Sequence, residues 1–245
     1  MLKTTDLCAG YNMAADILHN LNISICEGEC VAIVGKNGAG KSSLLLTLVG
    51  IVAINGGNIK VCGLDVTKAN LPEIRKRAGL VFQNPDDQLF MPTVYDDIAF
   101  GPRNYGCSED IVKSTVLEIA SQFDISELLQ RNAYRLSGGE KRLAALAAVL
   151  VMQPQLLLLD EPSSFLDPCA RRRLIDLLRD LPQTKLIATH DLDLALDLCQ
   201  RVIILNQGSI AADGNCQELL RDQALLNING LELPLSLMNY QISNI

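Results

Sequence analysis

The chain has 245 residues, is 49% hydrophobic and 20% charged, and carries a formal net charge of -7 with a pI near 4.9. That length and apolar content can bury a sizeable core, one large α/β domain or two small ones, and they exclude a chain dominated by disorder. The acidic balance argues against a surface made for nucleic-acid phosphates and leaves room only for a local basic patch.

The longest apolar runs, residues 44–54 and 143–152, fall short of the roughly 18 residues that a membrane-spanning helix needs. The start, MLKTTDLCAGY, has no apolar run behind a basic cluster, so the expectation is no secretory signal, a cytosolic chain and no direct membrane insertion. The eight cysteines, at 8, 26, 30, 62, 107, 169, 199 and 216, form no C-x-x-C pair and read as thiols used as small apolar core residues. A metal at Cys26 and Cys30 would need two further ligands, and the only histidines are His19 and His190.

In chain order, the first 34 residues hold short alternating runs such as Leu21, Ile23 and Ile25, broken at Gly10 and at Glu27-Gly28, and predict an antiparallel β layer. Tyr11 sits in one of these turns, either as ordinary amphipathic surface or as a face for a nucleotide base. ECVAIV at 29–34 predicts a buried strand and SLLLTLV at 43–49 the apolar start of a helix. Between them lies GKNGAGKS, with Gly35, Gly38 and Gly40 spaced so that the backbone bends and its N–H groups converge on an anion. Lys41 and Ser42 then open the helix, whose start favours negative charge. In this pattern the lysine reaches the β- and γ-phosphates of a nucleotide and the serine hydroxyl ligates Mg²⁺; the alternative is a glycine-rich turn that binds nothing.

Gly56-Gly57 and Gly63 punctuate short strands (58–62), and AGLVF at 78–82 predicts another buried strand, ended by Gln83. From about 84 to 154 the strand signal disappears. Residues 112, 116, 119, 120 and 123 are apolar at helical spacing, and in LSGGE Ser137 is placed as an N-cap ahead of Gly138 and Gly139, whose backbone can approach a ligand closely. Leu143, Ala147, Leu150 and Val151 continue that helix to Gln153-Pro154. QLLLLDEP at 155–162 predicts a buried strand delivering Asp160 and Glu161 to the carboxyl edge of the sheet, where open α/β folds bind ligands. Alone, such a pair could merely cap a turn. With a phosphate cradle upstream, Asp160 suits Mg²⁺, usually through water, and Glu161 suits polarising a water for attack on a γ-phosphate. KLIAT at 185–189 predicts a further strand ending at His190, and a hairpin follows, turning at Gln207-Gly208.

Taken together, GKNGAGKS, Gln83, LSGGE, LLLLDEP, SSFLD at 163–167 and His190 resemble, in order and spacing, the ATP-binding subunits of ABC transporters, over residues 11 to about 213. LSGGE discriminates, since many P-loop NTPases share the cradle and the acidic strand. QNPDDQLF, TVYDDIAFGPRNYG and LSGGEKR add a narrower likeness to the ATPases of energy-coupling-factor importers, especially those serving cobalt and nickel uptake. The resemblance implies an α/β P-loop NTPase fold: a RecA-like core with an antiparallel β layer (1–83 and 155–230), an inserted α-helical subdomain (84–154) and a tail (231–245). It also implies a head-to-tail dimer, with a second copy or a related ATPase, that sandwiches ATP between one chain's cradle and the other's signature. The cradle is Gly35, Lys36, Asn37, Gly38, Ala39, Gly40, Lys41, Ser42 and Ser43, with Tyr11 stacking on adenine. Leu136, Ser137, Gly138, Gly139 and Glu140 act across the dimer. Ser42, Gln83 and Asp160 serve Mg²⁺, Glu161 is the general base, His190 contacts the γ-phosphate, and Asp167 belongs to a loop through which the two sites sense each other. The implied setting is the cytoplasmic face of the cell membrane, bound to an integral membrane coupling subunit and a solute-binding membrane subunit, and not to nucleic acid.

Three positions depart from the pattern. Lys36 stands where a small residue or proline is frequent, Leu143 where many relatives have arginine, and Phe165 where a small residue is frequent. The tail alternates at Leu231, Leu233, Leu235 and Leu237, which suits a short strand or a small dimer patch. Arg171 to Arg173 read as a solvated face, and Asp86 and Asp87 as receivers of a basic coupling helix or as a solvated turn. Rival functions are an importer of another solute such as a vitamin, a soluble ABC ATPase acting on DNA or ribosomes, and an ATP-binding regulator without turnover. The absence of a heptad run or a repeat disfavours the second, and intact Glu161 and His190 the third.

Overall fold

The computed structural model describes residues 1–11 and 15–238. The alternating N-terminal runs form β1 (Leu2–Gly10), β2 (Leu18–Leu21) and β3 (Ser24–Ile25); the apolar run after them forms β4 (Cys30–Val34), and the glycine loop opens α1 (Lys41–Leu48). The chain returns through β5 (Ala53–Val61), β6 (Leu64–Asp65), α2 (Leu71–Arg77) and β7 (Ala78–Val81). Three helices follow, α3 (Val94–Asn104), α4 (Glu109–Gln122) and α5 (Gly138–Leu150), and among the described residues no strand lies between β7 and β8 (Leu156–Asp160). Alternation resumes with α6 (Pro168–Asp180), β9 (Thr184–Thr189), α7 (Leu192–Leu198), the hairpin β10 (Arg201–Asn206) and β11 (Ser209–Asn215), and short helices α8 (Cys216–Leu219) and α9 (Gln223–Ile228).

Six strands make one sheet in the order β11-β10-β4-β9-β8-β7, parallel except for the β10–β11 hairpin, and an antiparallel sheet β2-β1-β5-β6, with β3 also on β1, lies over it. The strands between the layers are apolar on both faces because each face has its own core. Along β8, Leu156 and Leu158 pack toward the antiparallel sheet and α1, whereas Leu157 and Leu159 pack toward the helices. Burying each such leucine contributes about 1.5–3 kcal/mol, and the parallel arrangement brings the carboxyl ends of β4, β8 and β9 to one edge. The hairpin turns at Gln207 (φ 46°) and Gly208 (φ 76°), the positive pair that a two-residue connection favours.

Gly56 and Gly57 do not separate strands as their spacing suggests; both lie inside β5. The register of β1 against β5 shifts between Thr5 and Cys8, and a Cβ on Gly57 would fall 2.3 Å from the carbonyl oxygens of Thr5 and Asp6, so the glycine serves a bulge. The solvated reading of Arg171 is also corrected. Its guanidinium bonds the Asp191 carboxylate through Nε (2.8 Å) and Nη2 (3.1 Å), tying α6 to the N-cap of α7 and holding that carboxyl below the usual range. Of the cysteines only Cys30, Cys199 and Cys216 are buried; Cys26 and Cys169 are exposed and the others intermediate. Cys30 faces Cys199, Sγ to Sγ 3.4 Å, and not Cys26. In the tail, 235–237 forms a 3₁₀ turn in place of a strand, Leu231 and Leu233 pack on the core, and 239–245 lie outside the described residues.

In the helical region Asp97 on α3 is 5% exposed, and its Oδ1 accepts from the backbone N–H groups of Phe90 and Met91, both at 2.9 Å. Burial is the larger influence and raises its pKa despite those two bonds. The folded carboxyl therefore holds its proton to a higher pH than the unfolded one, and the stability it withdraws on ionising is lost as pH rises through that acidic window. Asp97→Asn, which keeps an acceptor oxygen without the charge, is expected to hold or raise the melting temperature at pH 7 and to flatten its acid dependence. Asp97→Ala, which strands both amides, is expected to cost about 1–3 kcal/mol. Thermal melts at several pH values read both.

Candidate active site

The loop after β4 is shaped by backbone contacts that only glycine permits. A Cβ on Gly35 would fall 2.3 Å from the Leu205 carbonyl oxygen, and Gly40 holds φ at 103° as N-cap of α1. Among the described residues no side chain caps that helix start, and no acidic residue lies in its first turn, so its first amides and positive dipole end favour an anion. Lys41, buried, donates through Nζ to Gly35 O (2.8 Å) and Lys36 O (3.4 Å), which folds the ammonium back over the loop. Ala39 is buried and structural, its carbonyl accepting from Gly208 N. The Lys36 side chain leaves the loop and lies across Gly230, where an added Cβ would meet its Cε at 1.5 Å.

Leu156 to Leu159 fill the two cores, so β8 ends with its carboxylates at the same edge. Asp160 Oδ1 accepts from Ser42 Oγ at 2.9 Å, and burial pushes the Asp160 carboxyl up while that hydroxyl pulls it down. Ser42 and Gln83 line one cleft, and Asp160, buried and not itself in the lining, meets it through the Ser42 hydroxyl. A carboxylate, a hydroxyl and an amide oxygen are a set suited to a hard divalent cation, so the residues fit Mg²⁺. Glu161 is 5% exposed and holds φ at 45°. Its Oε2 accepts from Thr189 Oγ1 (3.1 Å) and His190 N (3.1 Å) and meets His190 Nδ1 at 2.7 Å, while Oε1 lies 3.7 Å from Lys41 Nζ. The carboxylate is thus fixed between the cradle and the end of β9.

Asn37, Gly38, Gly40, Lys41, Ser42, Ser43, Gln83, Glu161 and His190 line one cleft of about 610 Å³. Tyr11 stands at its rim, 63% exposed, with its hydroxyl 3.5 Å from Ser43 Oγ. The signature residues do not join that cleft. Ser137, Gly138, Gly139 and Glu140 line a separate hollow of about 390 Å³ together with Phe165 and Asp167. There Ser137 and Glu140 form a reciprocal capping box that starts α5 and holds the Glu140 carboxyl below its usual range, while Leu136 is buried just ahead of it. Asp167 caps α6, its carboxylate accepting from Ala170 N at 2.9 Å.

Three residues at these sites escaped the sequence reading. Ile17 lines the cleft and Thr189 holds Glu161. Arg142, on the signature helix, is 1% exposed and donates to Phe82 O (2.8 Å) and Gln83 O (2.6 Å), so it ties α5 to the loop that carries Gln83. Leu143, the neighbour at which the resemblance leads to an expectation of arginine, is buried in the helical core. Asp86 is committed to Lys141, Oδ1 to Nζ 2.6 Å, a second tie between the same loop and α5, which weakens its reading as a free receiver of a basic partner. The only sequence signal for Arg142 is its place at the end of the charged triplet Glu140-Lys141-Arg142, directly before the apolar run 143–152.

A family model described as ABC transporter matches residues 18–164. A putative ABC transporter ATP-binding protein of Geobacter sulfurreducens is 46% identical, covering 97% of this chain and 95% of that protein. An energy-coupling factor transporter ATP-binding protein, EcfA1 of Methanospirillum hungatei, is 39% identical, covering 96% and 86%. Among solved structures, cbiO1 from Clostridium perfringens, part of the ABC transporter complex cbiONQ, superposes with a TM-score of 0.82 at 33% identity, covering 93% of each chain.

Proposed function

The chain belongs to the ABC transporter family as an ATP-binding ATPase subunit, and we propose that it powers import of a small solute, a cobalt or nickel ion, through a transporter of the energy-coupling-factor type. The likeness to EcfA1 and to cbiO1 supports the transporter class. The metal rests on the narrower sequence likeness, because no residue of an ATPase subunit touches the solute.

The observation that carries the reading is Glu161, clamped by Thr189 and His190 and facing Lys41 across the cradle. Lys41 and the first amides of α1 hold the β- and γ-phosphates, and Tyr11 stacks on the adenine. Glu161 takes a proton from the attacking water, and His190 contacts the γ-phosphate. Ser42, Gln83 and Asp160 hold Mg²⁺, which when bound neutralises phosphate charge. The signature hollow lies apart from the cradle, which supports completion of each site by a second chain, and Asp167, which lines the signature hollow, is assigned to the loop through which the two sites sense each other. Closure on ATP and reopening after hydrolysis are then passed through Gln83 and the helical subdomain (84–154) to a membrane coupling subunit. Attachment is peripheral, at the cytoplasmic face, through the membrane subunits; among the described residues no helix is long and apolar enough to cross a membrane.

Affinity purification of the tagged chain from gently solubilised membranes of its native host, read by mass spectrometry, tests the assembly. A small multi-helix coupling protein and a solute-binding membrane subunit are expected, and reconstituted vesicles containing the complex should take up Co²⁺ or Ni²⁺ only with ATP. Recovery of ribosomal or DNA-bound proteins without membrane subunits would overturn the transport reading, and uptake of another solute alone would overturn the metal.

A further inference from the structure

Between β8 and α6 the loop 163–167 carries an aromatic side chain that the described residues of its own chain leave exposed. Phe165 is 87% exposed and holds φ at 65°, a backbone region that a bulky residue enters only with strain. It stands on a ridge between two hollows. One is the signature hollow, where a Cβ on Gly138 would lie 3.6 Å from the Phe165 carbonyl oxygen. The other, about 520 Å³, is bounded by His190 and Asp191 and walled by Leu231, Leu233, Leu235 and Met238. That wall is pinned, since the Asp193 carboxylate accepts from Leu235 N at 2.9 Å and from Ser236 N at 3.1 Å. A projecting phenyl stands beside a preformed hollow that has one apolar wall, at 231–238, and one polar wall, at Ser163, Arg171, His190 and Asp191. Phe165 borders that hollow, and phenyl and apolar wall are the two halves of a self-complementary surface.

The layout says which molecule meets it. His190 lines both the cradle cleft and the second hollow. A second copy that lays its cradle on Ser137 and Gly138 therefore brings its own His190 edge, and the hollow beside it, over Phe165. We propose that Phe165 anchors the ATP-closed homodimer by entering the hollow between His190 and the 231–238 segment of a second copy. The inference rests on the reading that cradle and signature meet across a dimer, and it makes the preferred partner another copy of this chain. A rigid aromatic at the centre of an interface is the residue type that dominates association energy, and the strain at Phe165 is offset only when the ring is covered.

The test uses the full chain carrying E161Q, with Mg²⁺ and ATP, in analytical ultracentrifugation. Phe165→Ala and Phe165→Gly are each expected to raise the dimer Kd by about 10- to 30-fold. The nucleotide-free monomer should keep its melting temperature, and with glycine should gain, because glycine takes positive φ without strain. In a second arm, photoreactive p-benzoylphenylalanine replaces Phe165 in a mixture of isotope-labelled and unlabelled chains, and crosslinks joining a labelled to an unlabelled chain within 231–238 are expected. An unchanged Kd in both substitutions, or crosslinks confined to one chain, would overturn the anchor while leaving the dimer standing. If the E161Q chain with Phe165 intact stays monomeric in ATP, the dimer reading itself fails and the anchor with it.

Discussion

Glu161→Gln is expected to lower steady-state ATP turnover by about 10² to 10⁴ fold while changing ATP affinity little. The substitution is nearly isosteric at a position where shape matters, since Glu161 is buried and holds a left-handed φ of 45°. Glutamine can place its carbonyl oxygen where Oε2 now accepts from Thr189 Oγ1, His190 N and His190 Nδ1, so the end of β9 keeps its geometry. What it gives up is the capacity to take a proton, together with the negative charge 3.7 Å from Lys41 Nζ. Binding and chemistry should therefore separate. Phosphate release reads the loss, and equilibrium titration with a fluorescent ATP analogue shows the cradle intact. Turnover retained within a few fold would remove Glu161 from the base role and move the search to a water held by His190 or Asp160.

The parts of this molecule that are written locally were legible in the chain. Four consecutive leucines before Asp160 state that β8 is buried on both faces, and the glycine spacing from Gly35 to Gly40 states a backbone that converges on an anion. The separation of the signature from the cradle was also legible, but only through resemblance, because no periodicity says that Ser137 and Lys41 line different hollows. What stayed hidden depends on contacts between distant residues. Gly56 and Gly57 look like a turn until β1 lies beside them and its bulge needs the space. Pro102 near the end of α3 obscures a helix whose apolar face, Val94, Ile98 and Ala99, is otherwise regular. Arg171 reads as solvated until α7 presents Asp191. For Gly57 and Arg171 the residue carries meaning only through a neighbour many positions away, whereas Pro102 hides its own helix locally.

Arg142→Met should expose the most consequential of these hidden contacts, with an expected loss of about 2–4 kcal/mol in stability and a fall in turnover on the order of 10²-fold. The guanidinium is one of the largest buried groups in the chain and burial lowers its pKa to about 10, with Asp160 the group that pulls it back up. Removing it relieves that burial cost but strands the carbonyl oxygens of Phe82 and Gln83, each worth about 1–3 kcal/mol when left unpaired. Methionine fills much of the volume, so a melting temperature lowered by roughly 5–15 °C would report the lost hydrogen bonds and not a cavity. The effect on turnover follows from position. Arg142 belongs to the helix that begins at the signature, and its two bonds fix the segment that brings Gln83 into the cleft of the same chain. One side chain thereby links the signature hollow with the cradle cleft, which in the proposed function are the half-site offered to a second chain and the half-site that binds nucleotide. Arg142→Lys separates the two consequences: a lysine carries the charge but cannot span two carbonyls with a planar fork. It should recover part of the melting temperature and little of the turnover. Equal recovery of both would make Arg142 a filler of the helical core, and the coordination of signature and Gln83 would then have to rest on Lys141 with Asp86 and on Gln88 with Ala145 O.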